Sequence, residues 1–267
     1  PCPGNSSRPE TAPGLMNATN HLFRTTMLCC ALLLPVVSTG QIAEKSTEKS
    51  DFQARTGFSI DKKAVAGLHI TWSEELRLKD ALGKIDRIYS VLAVSYEFCP
   101  WFKAGADYNF IAVKRDEGWE FRNRSNIDLT ASYKPAPRWR LSLRERFRIT
   151  STNKRSDPAL EANPAWIMRS RLMAEYDVRP LPIRPYVYLE LSNTLNAPNI
   201  TGNYIDKIRT SLGVKYALSP RSEFDFFYRF DHNRSKRIEA AGAGPARFVT
   251  TRKENNHILG VFYEYSF

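Results

Sequence analysis

Charged side chains recur at two-residue spacing along this chain, and their types set the chemistry it could do. Glu75, Glu97, Glu120, Arg122, Arg124, Asp128, Arg140, Arg144, Arg146, Arg148, Arg169, Arg171, Glu175, Glu190 and Arg229 all fall on the face opposite the apolar one. Arginine suits such a set because its planar fork pairs bidentately with carboxylates. Charges held inside a protein must be paired to be tolerated. The favoured reading is therefore a structural ion network filling an interior. The sharper reading is a selectivity surface for an anionic solute. The ladder Arg140, Arg144, Arg146 and Arg148 is the part most in excess of acids.

Catalysis would need a nucleophile or an acid–base group with an orienting partner. His69 shares a face with Ser73 and Glu75. Asp231 and His232 are adjacent, so on a strand they point to opposite sides. His257 lies near the start of the last apolar run. No protease or phospholipase motif is present, so the expectation is a non-enzyme, with a small outer-membrane hydrolase as the alternative class. Of the four cysteines, Cys2, Cys29 and Cys30 precede residue 41 and only Cys99 follows it. That excludes an intrachain disulfide and a cysteine metal site in the remainder. No metal and no cofactor are expected. Residues 241–245, Ala-Gly-Ala-Gly-Pro, read as a flexible linker and not a phosphate loop.

The elements that must position these charges are strands. Leu259, Val261, Tyr263, Tyr265 and Phe267 alternate with Gly260, Phe262, Glu264 and Ser266 to the end of the chain. One face is apolar and aromatic; the other is mostly polar or small. Trp139, Leu141, Leu143, Phe147 and Ile149 alternate in the same way with Arg140, Ser142, Arg144, Arg146 and Arg148. The pattern recurs through the chain in segments of roughly 11–16 residues, enough to cross a bilayer when tilted. Proline-rich short turns (99–100, 135–137, 180–182, 219–220) alternate with longer polar linkers (78–86, 114–118, 150–163, 196–202, 233–251). Aromatics such as Phe98, Trp101, Tyr133, Trp139 and Tyr176 cluster near the short turns. These features predict an all-β fold: a transmembrane antiparallel up-and-down barrel of about 10–12 strands. Counting back from Phe267 gives ten strands, the first near Ala66. Residues 52–60 are an eleventh candidate, with 61–63 as their turn. Phe267 is the expected insertion signal, read by barrel-assembly machinery.

Residues 1–15 read as a non-structural upstream segment and 16–41 as a signal peptide; 42–267 would form the barrel. Residues 27–37 are apolar but too short to span a bilayer as a helix. The 267-residue chain carries a formal charge of +11, and its pI is ≈ 9.6. A signal peptide takes the chain away from nucleic acid. The expected location is the outer membrane of a Gram-negative bacterium. The expected anionic partner is lipopolysaccharide, alongside outer-membrane lipid. Lys79, Lys84, Arg87, Lys114, Arg115, Lys154, Arg155, Arg234, Lys236, Arg237, Arg252 and Lys253 fall in or beside the long linkers. The barrel is expected to be a monomer.

The run 119–124, Trp-Glu-Phe-Arg-Asn-Arg, together with 144–148, Arg-Glu-Arg-Phe-Arg, resembles domain of unknown function 2490. This is a family of bacterial outer-membrane barrels. Residues 74–77 and 85–87 also fit. The resemblance implies a fold and a location over residues 52–267, and no established activity.

Overall fold

A computed structural model describes residues 45–153, 161–199, 201–240 and 247–267. The expected upstream segment and signal peptide lie outside the described residues. Eleven strands follow one another: β1 (Lys45–Val65), β2 (Leu68–Lys79), β3 (Lys84–Cys99), β4 (Phe102–Arg115), β5 (Gly118–Ala136) and β6 (Trp139–Thr152), then β7 (Ala165–Tyr176), β8 (Ile183–Thr194), β9 (Ile205–Ser219), β10 (Ser222–Ala240) and β11 (Arg247–Ser266). Each pairs with its sequence neighbours, and β1 closes on β11 to complete a barrel.

Parity decides what each strand shows. Leu92, Ile127, Leu172, Val187, Leu212 and Leu259 face outward and are exposed. Tyr89, Asn126, Glu190, Arg209 and Ile258, of the opposite parity, face inward and are buried. The outer surface is thus an apolar belt. It is edged by aromatic contacts such as Trp139 with Tyr176 and Phe147 with Trp166.

The strand count falls within the expected range, but the closure is not antiparallel throughout. The count is odd, and each hairpin reverses the chain, so the first and last strands point the same way. β1 and β11 pair in parallel over seventeen consecutive residues, from Lys45↔Thr250 to Asp61↔Ser266. Parallel pairing is slightly weaker per residue, and the seam is long. Its short-turn end is tied by backbone bonds from Phe267 N–H to Asp61 (3.0 Å) and from Lys63 N–H to Phe267 (3.2 Å). Residues 61–63, expected as a turn, continue β1, and the chain turns at Ala66 and Gly67 instead.

The strict alternation of short and long connections is also corrected. β4 and β5 are joined by residues 116–117 alone, whereas β7 and β8 are joined by residues 177–182, at the short-turn end. Residues 233–240 and 247–251, expected as linker, extend β10 and β11. The reason is that a backbone ladder does not need apolar side chains, so strands persist beyond the belt. Arg87, expected in or beside a long linker, sits within β3, and Arg234, Lys236, Arg252 and Lys253 sit in β10 and β11. Lys154 and Arg155 lie outside the described residues.

Candidate functional site: an arginine-rich lumen

Towards the short-turn end the lumen is filled by aromatic rings. Tyr186, Tyr188, Phe227 and Ile258 are buried together, with Met173 and Phe262 against them. Phe227 pairs across the sheet with both Gly213 and Gly260, and Tyr186 also pairs with Gly213. A Cβ at either glycine would overlap an aromatic ring. The two glycines thus let the rings lie flat against the wall. A second apolar cluster of Tyr89, Ile111 and Val113 lies across the barrel on β3 and β4.

Between these clusters two carboxylates act as hubs. Glu190 on β8 is 1% exposed and is reached by four guanidinium groups: Arg171 at 2.7 Å, Arg209 at 2.9 Å, Arg169 at 3.3 Å and Arg144 at 3.4 Å. Asp231 on β10, also 1% exposed, accepts a two-pronged bond from Arg209 at 2.7 and 2.8 Å. Lys207 at 3.7 Å and Arg55 at 3.6 Å lie further out around it. The register explains the crowding. Arg144 pairs directly across from Arg171, and Arg146 from Arg169. Like charges placed opposite repel; Arg144 and Arg171 share Glu190, whereas Arg146 pairs with Asp128 and Arg169 with Glu190. Arg146 meets Asp128 at 2.5 Å and Asp107 at 3.3 Å. Glu75 holds Arg77 at 2.6 Å, and the Arg77 guanidinium lies 4.0 Å from the Tyr89 ring centroid.

Three inward arginines have no carboxylate partner among the described residues. Arg148, buried, donates only to the Asn126 amide oxygen at 3.0 Å. Arg124 donates to the Thr150 hydroxyl at 3.1 Å and faces the Tyr89 ring at 5.7 Å. Arg229 stacks on Phe227 at 4.3 Å and lies 5.8 Å from Tyr188. Buried cations in this state call for an external anion or water. The short-turn mouth has the opposite character. A cavity of about 170 Å³ there is lined by Glu223, Asp225 and Glu264 with Lys215, Ser59 and Phe262. Glu175 lies nearby, 3.9 Å from both Arg184 and Lys215.

Most of the charges singled out from sequence therefore meet in the lumen. Glu120 pairs with Arg122 at 2.6 Å and Arg115 at 3.1 Å near the long-loop end. Two charges do not join the interior set. Glu97 is exposed at the short-turn rim, 4.0 Å from Lys103, and Arg140 is exposed near the same rim. Both lie close to strand ends, where the wall no longer encloses an inward side chain. Sequence reasoning missed Arg55, although residues 52–60 were a candidate strand, and it missed the aromatic filling. Glycines inside otherwise strand-like runs at 213 and 260 were the available signal. It also missed the pair at the short-turn end in which His69 Nδ1 lies 2.8 Å from Asp61, with the Thr71 hydroxyl 2.6 Å from the same carboxylate. The Thr71 hydroxyl is spent on Asp61 and not presented to His69. Among the described residues no group of three His, Cys, Asp or Glu is arranged to hold a metal.

A family model described as a protein of unknown function, DUF2490, matches residues 52–240. The chain belongs to the DUF2490 family. No curated protein matches it. Among solved structures this DUF2490 chain is similar to the NanC porin in a rhombohedral crystal form, at 9% identity and a TM-score of 0.41. The match covers 67% of this chain and 86% of that one.

Proposed function

We propose that this DUF2490 barrel is a monomeric, non-enzymatic protein of the bacterial outer membrane whose lumen is a narrow, largely blocked path that prefers anions. The apolar outer belt, edged with aromatics, supports a membrane position. The observation that carries the anion preference is the set of inward arginines without a carboxylate, Arg124, Arg148 and Arg229. They leave the middle of the lumen with uncompensated positive charge. The buried hubs and aromatic clusters support a small passage, because barrels near this size have interiors just filled by side chains. On this reading residues 16–41 are the export signal.

The test is reconstitution of the full chain in planar bilayers under a salt gradient. The expected result is little conductance, with a reversal potential displaced towards anion preference. The double change Arg124→Ala and Arg148→Ala should reduce that displacement. A large unselective conductance, or cation preference, would overturn the reading.

A further inference from the structure

The tips of two hairpins at the long-loop end form a basic cavity that the lumen does not use. The turn between β2 and β3 and the turn between β4 and β5 enclose about 620 Å³. Lys79, Lys84, Lys114 and Arg115 converge on this cavity from three strands, β2, β3 and β4. Asp80 and Asp116 also line it, so the cations hold the majority. Their existing pairings leave donors free. Lys84 lies 3.6 Å from Asp80, and Lys79 lies 3.7 Å from Asp86. Both distances are longer than a hydrogen bond, and each ammonium has three protons to give. Lys114 has no carboxylate partner among the described residues and sits 5.2 Å from the Trp119 ring centroid.

The turn that carries Lys84 is held in place. Asp80, Ala81 and Leu82 take φ values of 53°, 54° and 70°, a left-handed run without glycine. Such backbone costs energy and persists only where its surroundings determine it. Here the Asp51 carboxylate of β1 accepts the backbone N–H groups of Asp80 and Ala81, each at 3.2 Å.

The occupant follows from what lies beside the cations. Ile85 and Trp119 line the same cavity, and both are exposed, at 41% and 43%. Trp119 shares the outward face of β5 with Phe121, whose ring stacks on Phe110 at 5.4 Å. The cavity thus opens onto the upper edge of the apolar belt. An ion from bulk water has no use for that apolar flank, whereas a lipid sets its headgroup among the cations and its chains along Phe121 and Phe110. We infer that this cavity is a binding site for the phosphorylated headgroup of an outer-leaflet glycolipid.

The test uses full-length protein in detergent, with lipopolysaccharide, enzymatically dephosphorylated lipopolysaccharide and inorganic phosphate as probes. Retention is read by native mass spectrometry. Thermal unfolding is followed in parallel to show that each variant is folded. The variant Lys84→Ala with Lys114→Ala should lose lipopolysaccharide about tenfold at unchanged melting temperature, and Lys84→Arg with Lys114→Arg should retain it. Removing two exposed cations at the opposite rim, Lys62→Ala with Lys63→Ala, should change nothing. Equal retention of the dephosphorylated lipid would overturn the proposal. So would displacement of the lipid by millimolar phosphate, undiminished retention by the first variant, or an equal loss with the rim control.

Discussion

Phe227 lies directly across the sheet from Gly260, and its ring occupies the space that any side chain at 260 would need. Gly260→Ala should therefore force the ring off its rotamer and lower stability by about 1–3 kcal/mol, as overpacking does. Urea unfolding of the refolded barrel measures the loss. Phe227→Leu in the Gly260→Ala background should recover part of it, because the smaller side chain vacates the contested volume. If Gly260→Ala alone costs nothing, the ring does not lie where the register puts it.

Glu190 is the shared counter-charge for four guanidinium groups, and no described carboxylate can replace it for Arg169 and Arg171. Glu190→Ala should cost about 3–5 kcal/mol, the range for breaking a buried ion pair and leaving charge uncompensated. Sulfate or phosphate in the medium should return part of this stability by entering the vacated site. Unfolding curves with and without the anion, at matched ionic strength, separate that rescue from general screening.

The arginines should divide into two classes. Arg209 bridges Glu190 and Asp231, so Arg209→Met removes the two-pronged partner of buried Asp231 and one of four at Glu190, and should cost about 3–5 kcal/mol. Arg148 holds only an amide oxygen. Arg148→Met should fall within about 1 kcal/mol of the parent, the size of one neutral hydrogen bond. Equal losses for both would mean that Arg148 has a counter-charge of its own.

Glu145 departs from the apolar outer face. It lies between Leu143 and Phe147 on the outward parity of β6, and its carboxylate accepts the Ser170 hydroxyl of β7 at 2.7 Å. The two aromatic contacts on the same strands lie on either side of it. Glu145→Leu should stabilise the barrel in lipid vesicles by up to about 2 kcal/mol, since an acid in hydrocarbon is costly. A loss of stability would indicate instead that the carboxyl serves a partner in the membrane.

Strand direction gives a topological test. An epitope at Asn163, in the connection between β6 and β7, should be labelled on intact cells, and one at Ala136, beside the turn after β5, should not. Labelling at Ala136 would invert the barrel and move the basic cavity to the periplasmic side.

Much of this architecture follows from local pattern. Period-two alternation assigns the parity of Arg144, Arg146 and Arg148, and of Leu141 and Leu143, because a strand sends successive side chains to opposite faces whatever its neighbours are. The same rule separates Tyr186, Tyr188 and Glu190 from Val187 and Leu189. Parity says nothing about which inward charges meet. That Glu190 gathers arginines from β6, β7 and β9, while Arg148 finds only an amide, is decided by register and stagger between strands far apart in sequence. Enclosure is likewise a property of the whole wall, which is why Glu97 and Arg140 have the right parity and still lie exposed at a rim. The parallel seam is the plainest case. Nothing in residues 45–65 specifies β11 as a partner. The seam exists because the ten reversals between eleven strands leave the first and last pointing the same way, with unpaired edges that closure alone can satisfy.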